Sequence, residues 1–163
     1  MTLLEDDTNG FEILINYIYT KEYALPCNDK TDTRYHHTEF IKLFCLAEKY
    51  AVDRLKKGLV SKVYQAAQIG YASPLVSQVA YLYEHTTSKS GMRRLYVDWW
   101  IWRMKGADMV KPGVKEEVTI SVPEFATDLA WEMACFFTTA EDMDPFEEEE
   151  NFATYYHDSP GEA

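Results

Sequence analysis

Few residues in this 163-residue chain have the types and spacings that chemistry needs. His36 and His37 stand side by side with Cys27 upstream, and imidazole and thiolate are donors that zinc accepts. Adjacent histidines do not share a helical face, and no fourth donor follows at ligand spacing. A solvated polar loop over Ala24–His37, without a metal, is the expectation. Glu48, Asp53, His85 and Asp98 are the remaining candidates for acid–base work. None is spaced to pair a base with a nucleophile, and carboxylates on helical surfaces are ordinarily solvated. No catalytic residue, cofactor or metal is therefore assigned. His85 falls where a helix should end, a position that suits an imidazole. Cys27, Cys45 and Cys135 are odd in number and unpaired in spacing, which points to a reducing, intracellular compartment, nucleus or cytoplasm.

The elements that would carry these residues are helical. The stretch from Phe40 to Tyr64 reads as two helices around which the rest is arranged. Phe40, Leu43, Phe44, Ala47 and Tyr50 keep the three-four spacing of one face, with Thr38 as the expected cap. After a break near Tyr50–Asp53, Leu55, Leu59 and Val63 recur four apart, with lysines on the opposite side. Two apolar faces so close in sequence must bury against each other or against a shared third element, so an αα-hairpin is expected. Upstream, Phe11, Leu14, Ile15 and Ile18 mark another amphipathic helix, and Pro26 lies beyond its end. Downstream, Ser73-Pro74 reads as a cap with proline at the first helical position. Leu75, Val76, Val79, Leu82 and Tyr83 follow. Ser121 and Glu124 read as a capping box around Pro123. Phe125, Leu129, Met133 and Phe136 or Phe137 form the last apolar face.

The segment Met92–Met104 is the most aromatic of the chain. Leu95, Trp99 and Trp102 share one face, with Trp100 and Met104 on another. Such a cluster could cage a methylated lysine. Core packing is the preferred reading, because each buried indole removes ~150–250 Å² from water. Aromatics on more than one face place this helix between neighbours or against a partner.

The run FCLAEKYAVDRLKKGLVSKV resembles the helical pair in the C-terminal half of BTB/POZ domains, where the pattern LAxKYxxxxLKxxA recurs. LLEDDTNGFEILINYIYTKEY resembles that family's last strand and following helix, the run EDDPxAFxxLLxYLYTxxY. Glu5, Asp6, Asp7, Phe11, Leu14, Tyr17, Tyr19, Thr20 and Tyr23 stand in the matching places, and Thr8 replaces the usual proline. The likeness is to the fungal group of such proteins. It covers Leu3 to Val63 well and reaches Met104 loosely. It implies a protein-interaction adaptor or scaffold, with self-association and cullin-type ubiquitin-ligase binding as the family's partners. The N-terminal half, which carries most of the family's dimer interface and part of its cullin surface, has no counterpart here. The helix of Phe11, Leu14 and Ile18 is thus expected to expose an apolar patch.

The net charge of −11 falls mainly on the C-terminal end, where nine acids follow Thr139 without a lysine or arginine. That sign disfavours nucleic acid. No run is long and apolar enough to span a membrane, and no signal peptide pattern opens the chain. Phe146 and Phe152 punctuate the acidic stretch, as in disordered segments that fold on a partner; a tail that only solvates the chain is the equal alternative. The expected architecture is a mainly α bundle of about six helices over residues 1–139, with a short N-terminal strand at Thr2–Leu4. An acidic, disordered tail follows over 140–163. Its function is protein–protein interaction without enzymatic activity, with Phe11, Leu14, Ile18, Phe146 and Phe152 as partner-binding residues. The alternative is a small-molecule binder or enzyme with its site inside the bundle.

Overall fold

A computed structural model describes residues 8–22, 33–68, 74–105, 121–139 and 156. Among them are six α-helices and no strand: α1 Thr8–Thr20, α2 Thr33–Lys49, α3 Asp53–Gln68, α4 Val76–His85, α5 Gly91–Lys105 and α6 Pro123–Thr139. The strand expected at Thr2–Leu4 and most of the tail lie outside the described residues. Among the described residues no helix is long and apolar enough to cross a membrane.

Helices α2 and α3 form the expected hairpin, and Leu43 and Leu59 meet in one core with Phe44, Leu55 and Val63. The turn between them has a specific chemistry. Ala51 takes a left-handed conformation, φ 54°. Its N–H donates to the Glu48 carbonyl at 3.1 Å, and the Val52 N–H donates to the Ala47 carbonyl at 2.8 Å. This is a Schellman close, which satisfies two carbonyls that the helix end would leave bare. Alanine there carries a Cβ that glycine would not. Helix α1 ends in a related way: Lys21 has φ 62°, and its N–H donates to the Tyr17 carbonyl at 2.8 Å.

Helix α2 begins at Thr33, about two turns earlier than the apolar spacing predicts. The loop expected over Ala24–His37 is therefore helical from Thr33 onward. His37 is not solvated: it is 3% exposed. Its ring lies edge-on to Trp99 at 4.9 Å, and its Nδ1 is 3.2 Å from the Tyr96 hydroxyl. Ring contacts with α5 compensate for the polar face of this first turn. Thr38 is an interior residue rather than a cap, and its hydroxyl accepts from Gln78 Nε2 at 2.8 Å, tying α2 to α4.

Two further caps shift. Leu75, not Ser73, is the N-cap of α4, and its N–H donates to the Gln78 side chain at 2.8 Å. Pro74 thus precedes the cap instead of opening the helix. At the last helix Pro123 does occupy the first position, but Glu124 turns to Arg93 rather than to a cap.

Helix α2 packs on α1, α3 and α4, while α5 packs on α3, α4 and α6. Two apolar clusters result. The larger joins α1, α2, α3, Leu82 of α4 and one side of α5, with Met92, Leu95, Tyr96 and Trp99 buried. The smaller joins α4, α6 and the other side of α5, through Val79, Tyr83, Val97, Trp100 and Phe125. The aromatic helix is thus covered on both sides: Trp99 and Trp100 are core anchors, and Trp102 is partly buried against the larger cluster.

Candidate functional site

The outer face of α1 is the first candidate. Leu14, at 1% exposure, and Tyr17 point into the core. Phe11 is half-buried, with its ring edge-on to Tyr50 at 5.9 Å. Leu14 therefore cannot belong to an exposed patch, and Phe11 sits at its margin. Ile18 does remain exposed, at 41%, and Ile15 and Tyr19 join it, Tyr19 at 83%. The periodicity placed Ile15 with the core face, yet it lies at the edge where the helix turns toward water. Phe146 and Phe152 lie outside the described residues.

A second candidate is a cleft of about 520 Å³ between α2 and α4, lined by Lys42, Cys45, Glu48, Lys49, Glu84 and His85, among others. It brings together two of the four acid–base candidates, Glu48 and His85. His85 is stacked on Tyr81 at 4.1 Å, and its Nδ1 lies 2.8 Å from the Tyr81 carbonyl. Because a carbonyl only accepts, that nitrogen carries a proton. Glu48 lies 3.8 Å from Lys56, which also pairs with Asp53 at 3.2 Å. Asp53 is an exposed first-turn acid of α3 and does not line the cleft. Cys45 lies at its base. Burial, reinforced by Glu48, pushes this thiol up to about 12, so it stays protonated and is a poor nucleophile.

Asp98 faces elsewhere. Burial, reinforced by Glu132, raises its carboxyl from 3.8 to about 7 against the lowering effects of Tyr156 and Arg94. It accepts a hydrogen bond from the Tyr156 hydroxyl at 2.8 Å. Tyr156 comes from the acidic end expected to be a disordered tail, yet it is 3% exposed and belongs to the larger core. Its position in the chain gave one hint, an aromatic pair in an otherwise polar stretch. Cys27 and the His36 side chain lie outside the described residues. Among the described residues no three His, Cys, Asp or Glu converge as metal ligands.

Arg93 was not singled out by the sequence, and it organises the junction of α4, α5 and α6. The guanidinium lies 4.2 Å from the centre of the Tyr83 ring. Nε donates to the Thr86 hydroxyl at 2.9 Å, and Nη1 to Glu124 at 2.9 Å. Nη2 donates to the Tyr83 carbonyl at 2.5 Å and to the Thr86 carbonyl. Arg93 thereby caps the C-terminal end of α4, where carbonyls lack partners. The Tyr83 hydroxyl donates to Asp128 at 2.7 Å. Burial, then that hydrogen bond, raises the Tyr83 pKa. A basic residue at the start of a helix gives no such signal in sequence, since its partners lie in neighbouring elements.

No protein-family model, curated protein or solved structure matches this chain.

Proposed function

We propose that the chain is a non-enzymatic protein-interaction module, an intracellular BTB-like adaptor or scaffold, that uses the outer face of α1. The observation that carries this reading is the exposure of Ile15, Ile18 and Tyr19 on a helix whose Leu14 and Tyr17 are core residues. Three large apolar side chains turned to water on one short helix form the kind of surface that a partner covers. The α2–α3 hairpin, with α1 packed on α2, is compatible with the resemblance to the C-terminal half of a BTB domain. The partner is a protein or a second copy of the chain; a cullin-type ligase is one member of that class. A photo-crosslinker placed at Tyr19 tests the reading in cell extract and in the purified chain. A defined crosslinked product, lost with Ile18→Asp, is expected. A chain that stays monomeric by light scattering and gives no product overturns it.

The cleft between α2 and α4 favours a second reading, a small-molecule binder or enzyme with its site in the bundle. Glu48, Lys42, Lys49 and the His85 imidazole offer both charges to a compact polar ligand. A ligand screen by thermal shift checks it. A saturable rise in Tm that His85→Ala abolishes supports the reading, and no hit sensitive to His85 or Glu48 removes it.

A further inference from the structure

The seat of Tyr156 is a built receptor for a tyrosine side chain. Tyr64 of α3 supplies a ring 5.9 Å away, tilted by 47°. Asp98 of α5 accepts from the hydroxyl at 2.8 Å. Gly91, two helical turns before Asp98 on the same face of α5, leaves room for the backbone. A Cβ at that position would lie 1.7 Å from the Tyr156 carbonyl oxygen, and the nearest atoms it would meet all belong to Tyr156. Ring, hydroxyl and backbone are thus each read by a different residue, and the glycine is required by the occupant rather than by the helix.

We propose that this seat also receives Tyr156 from a second copy of the chain, so that the C-terminal segment links copies by exchange. Complementarity to Tyr156 is already displayed by its contacts within one chain. Residues 140–155 connect Thr139 to Tyr156 and reach at most roughly 55–60 Å when extended, which is ample for a neighbouring molecule. The contact within a chain is favoured at low concentration, because a short connection gives an effective concentration of about millimolar. Each copy carries a net charge of −11, so exchange is opposed by repulsion and is promoted by salt. This surface lies on α3 and α5, apart from the α1 face.

Complementation between two full-length variants tests the proposal. Tyr156→Ala keeps the seat and removes its occupant. Gly91→Ala blocks the seat and keeps the occupant. Neither variant can close the contact within its own chain, and at up to about 1 mM, the effective concentration of that contact in the unaltered chain, each variant alone is expected to sediment as a monomer. Their mixture is expected to form a one-to-one complex that strengthens with salt. Adding Ile18→Asp to both should leave that complex unchanged, which separates this result from the α1 reading. If Gly91→Ala does not fold, a fluorescein-labelled peptide of residues 151–160 decides the matter. Binding to the Tyr156→Ala chain, with at least a tenfold loss when the peptide's own Tyr156 is alanine, supports the proposal. No complex in the mixture of folded variants, or no peptide binding where Gly91→Ala is unfolded, overturns it.

Discussion

The two sides of α5 are held by different physics. Toward α2 and α3 the contacts are mostly aliphatic and aromatic, and Leu55, Leu59, Leu95 and Trp99 are buried there. Toward α4 and α6 the apolar contacts of Val79, Trp100 and Phe125 are supplemented by a polar junction centred on Arg93. The first side depends mainly on apolar area and fit, which salt hardly alters. The second depends in part on a buried cation whose partners must all be in place. The comparison predicts that α6 is the more easily released part of the molecule.

The largest effect should come from the aliphatic side. Leu59→Ala leaves a cavity in the middle of the larger cluster and should lower stability by about 3 kcal/mol in urea unfolding. The loss should be the same at low and high salt. Next is Arg93→Met, which keeps much of the side chain's bulk but leaves the Tyr83 and Thr86 carbonyls without their donor. A loss of about 2 kcal/mol is expected. Hydrogen exchange should show α6 amides opening first while α2 and α3 stay protected. Equal loss of protection in α2 and α6 would break the comparison, because the molecule would then open as one unit.

Asp98 adds a pH dependence to the same helix. The folded state holds its proton up to about pH 7, whereas the ordinary value is 3.8. Its contribution to stability is therefore fullest below about pH 4 and is lost as pH rises through 7. Asp98→Asn should remove that slope and raise stability at pH 8 by about 1 kcal/mol, with the share reduced by partial exposure. The smallest effect belongs to the hairpin turn. Ala51→Gly relieves the left-handed strain and should add about 0.5–1 kcal/mol. Urea unfolding of the variant checks it.

Much of this fold was legible because apolar spacing is a local signal. The αα-hairpin, α1, the burial of α5 on both sides and the packing of Phe125 and Leu129 of α6 all follow from residues three and four apart; the Phe136 and Phe137 side chains lie outside the described residues. The first turns of α2 were not legible. Thr33, Arg34, Tyr35, His36, His37 and Thr38 offer no apolar period, and what buries His37 is a pair of rings about sixty residues later. Tyr156 escaped for a related reason: acidic neighbours describe how a segment meets water, not where one aromatic side chain will settle. The patch on α1 was half legible, since periodicity gave the helix but not how far its core face extends. Ile15 and Leu14 are neighbours in sequence and fall on opposite sides of that boundary.

The placement of the indoles gives the molecule its own optical readout. Trp99 and Trp100 are shielded, while Trp131 on α6 is 70% exposed. A water-borne quencher should therefore extinguish the Trp131 emission first and leave a blue-shifted remainder from α5. Replacing Trp131 by phenylalanine would silence the outer signal. Any later red shift would then report that solvent has reached the helix on which both cores lean.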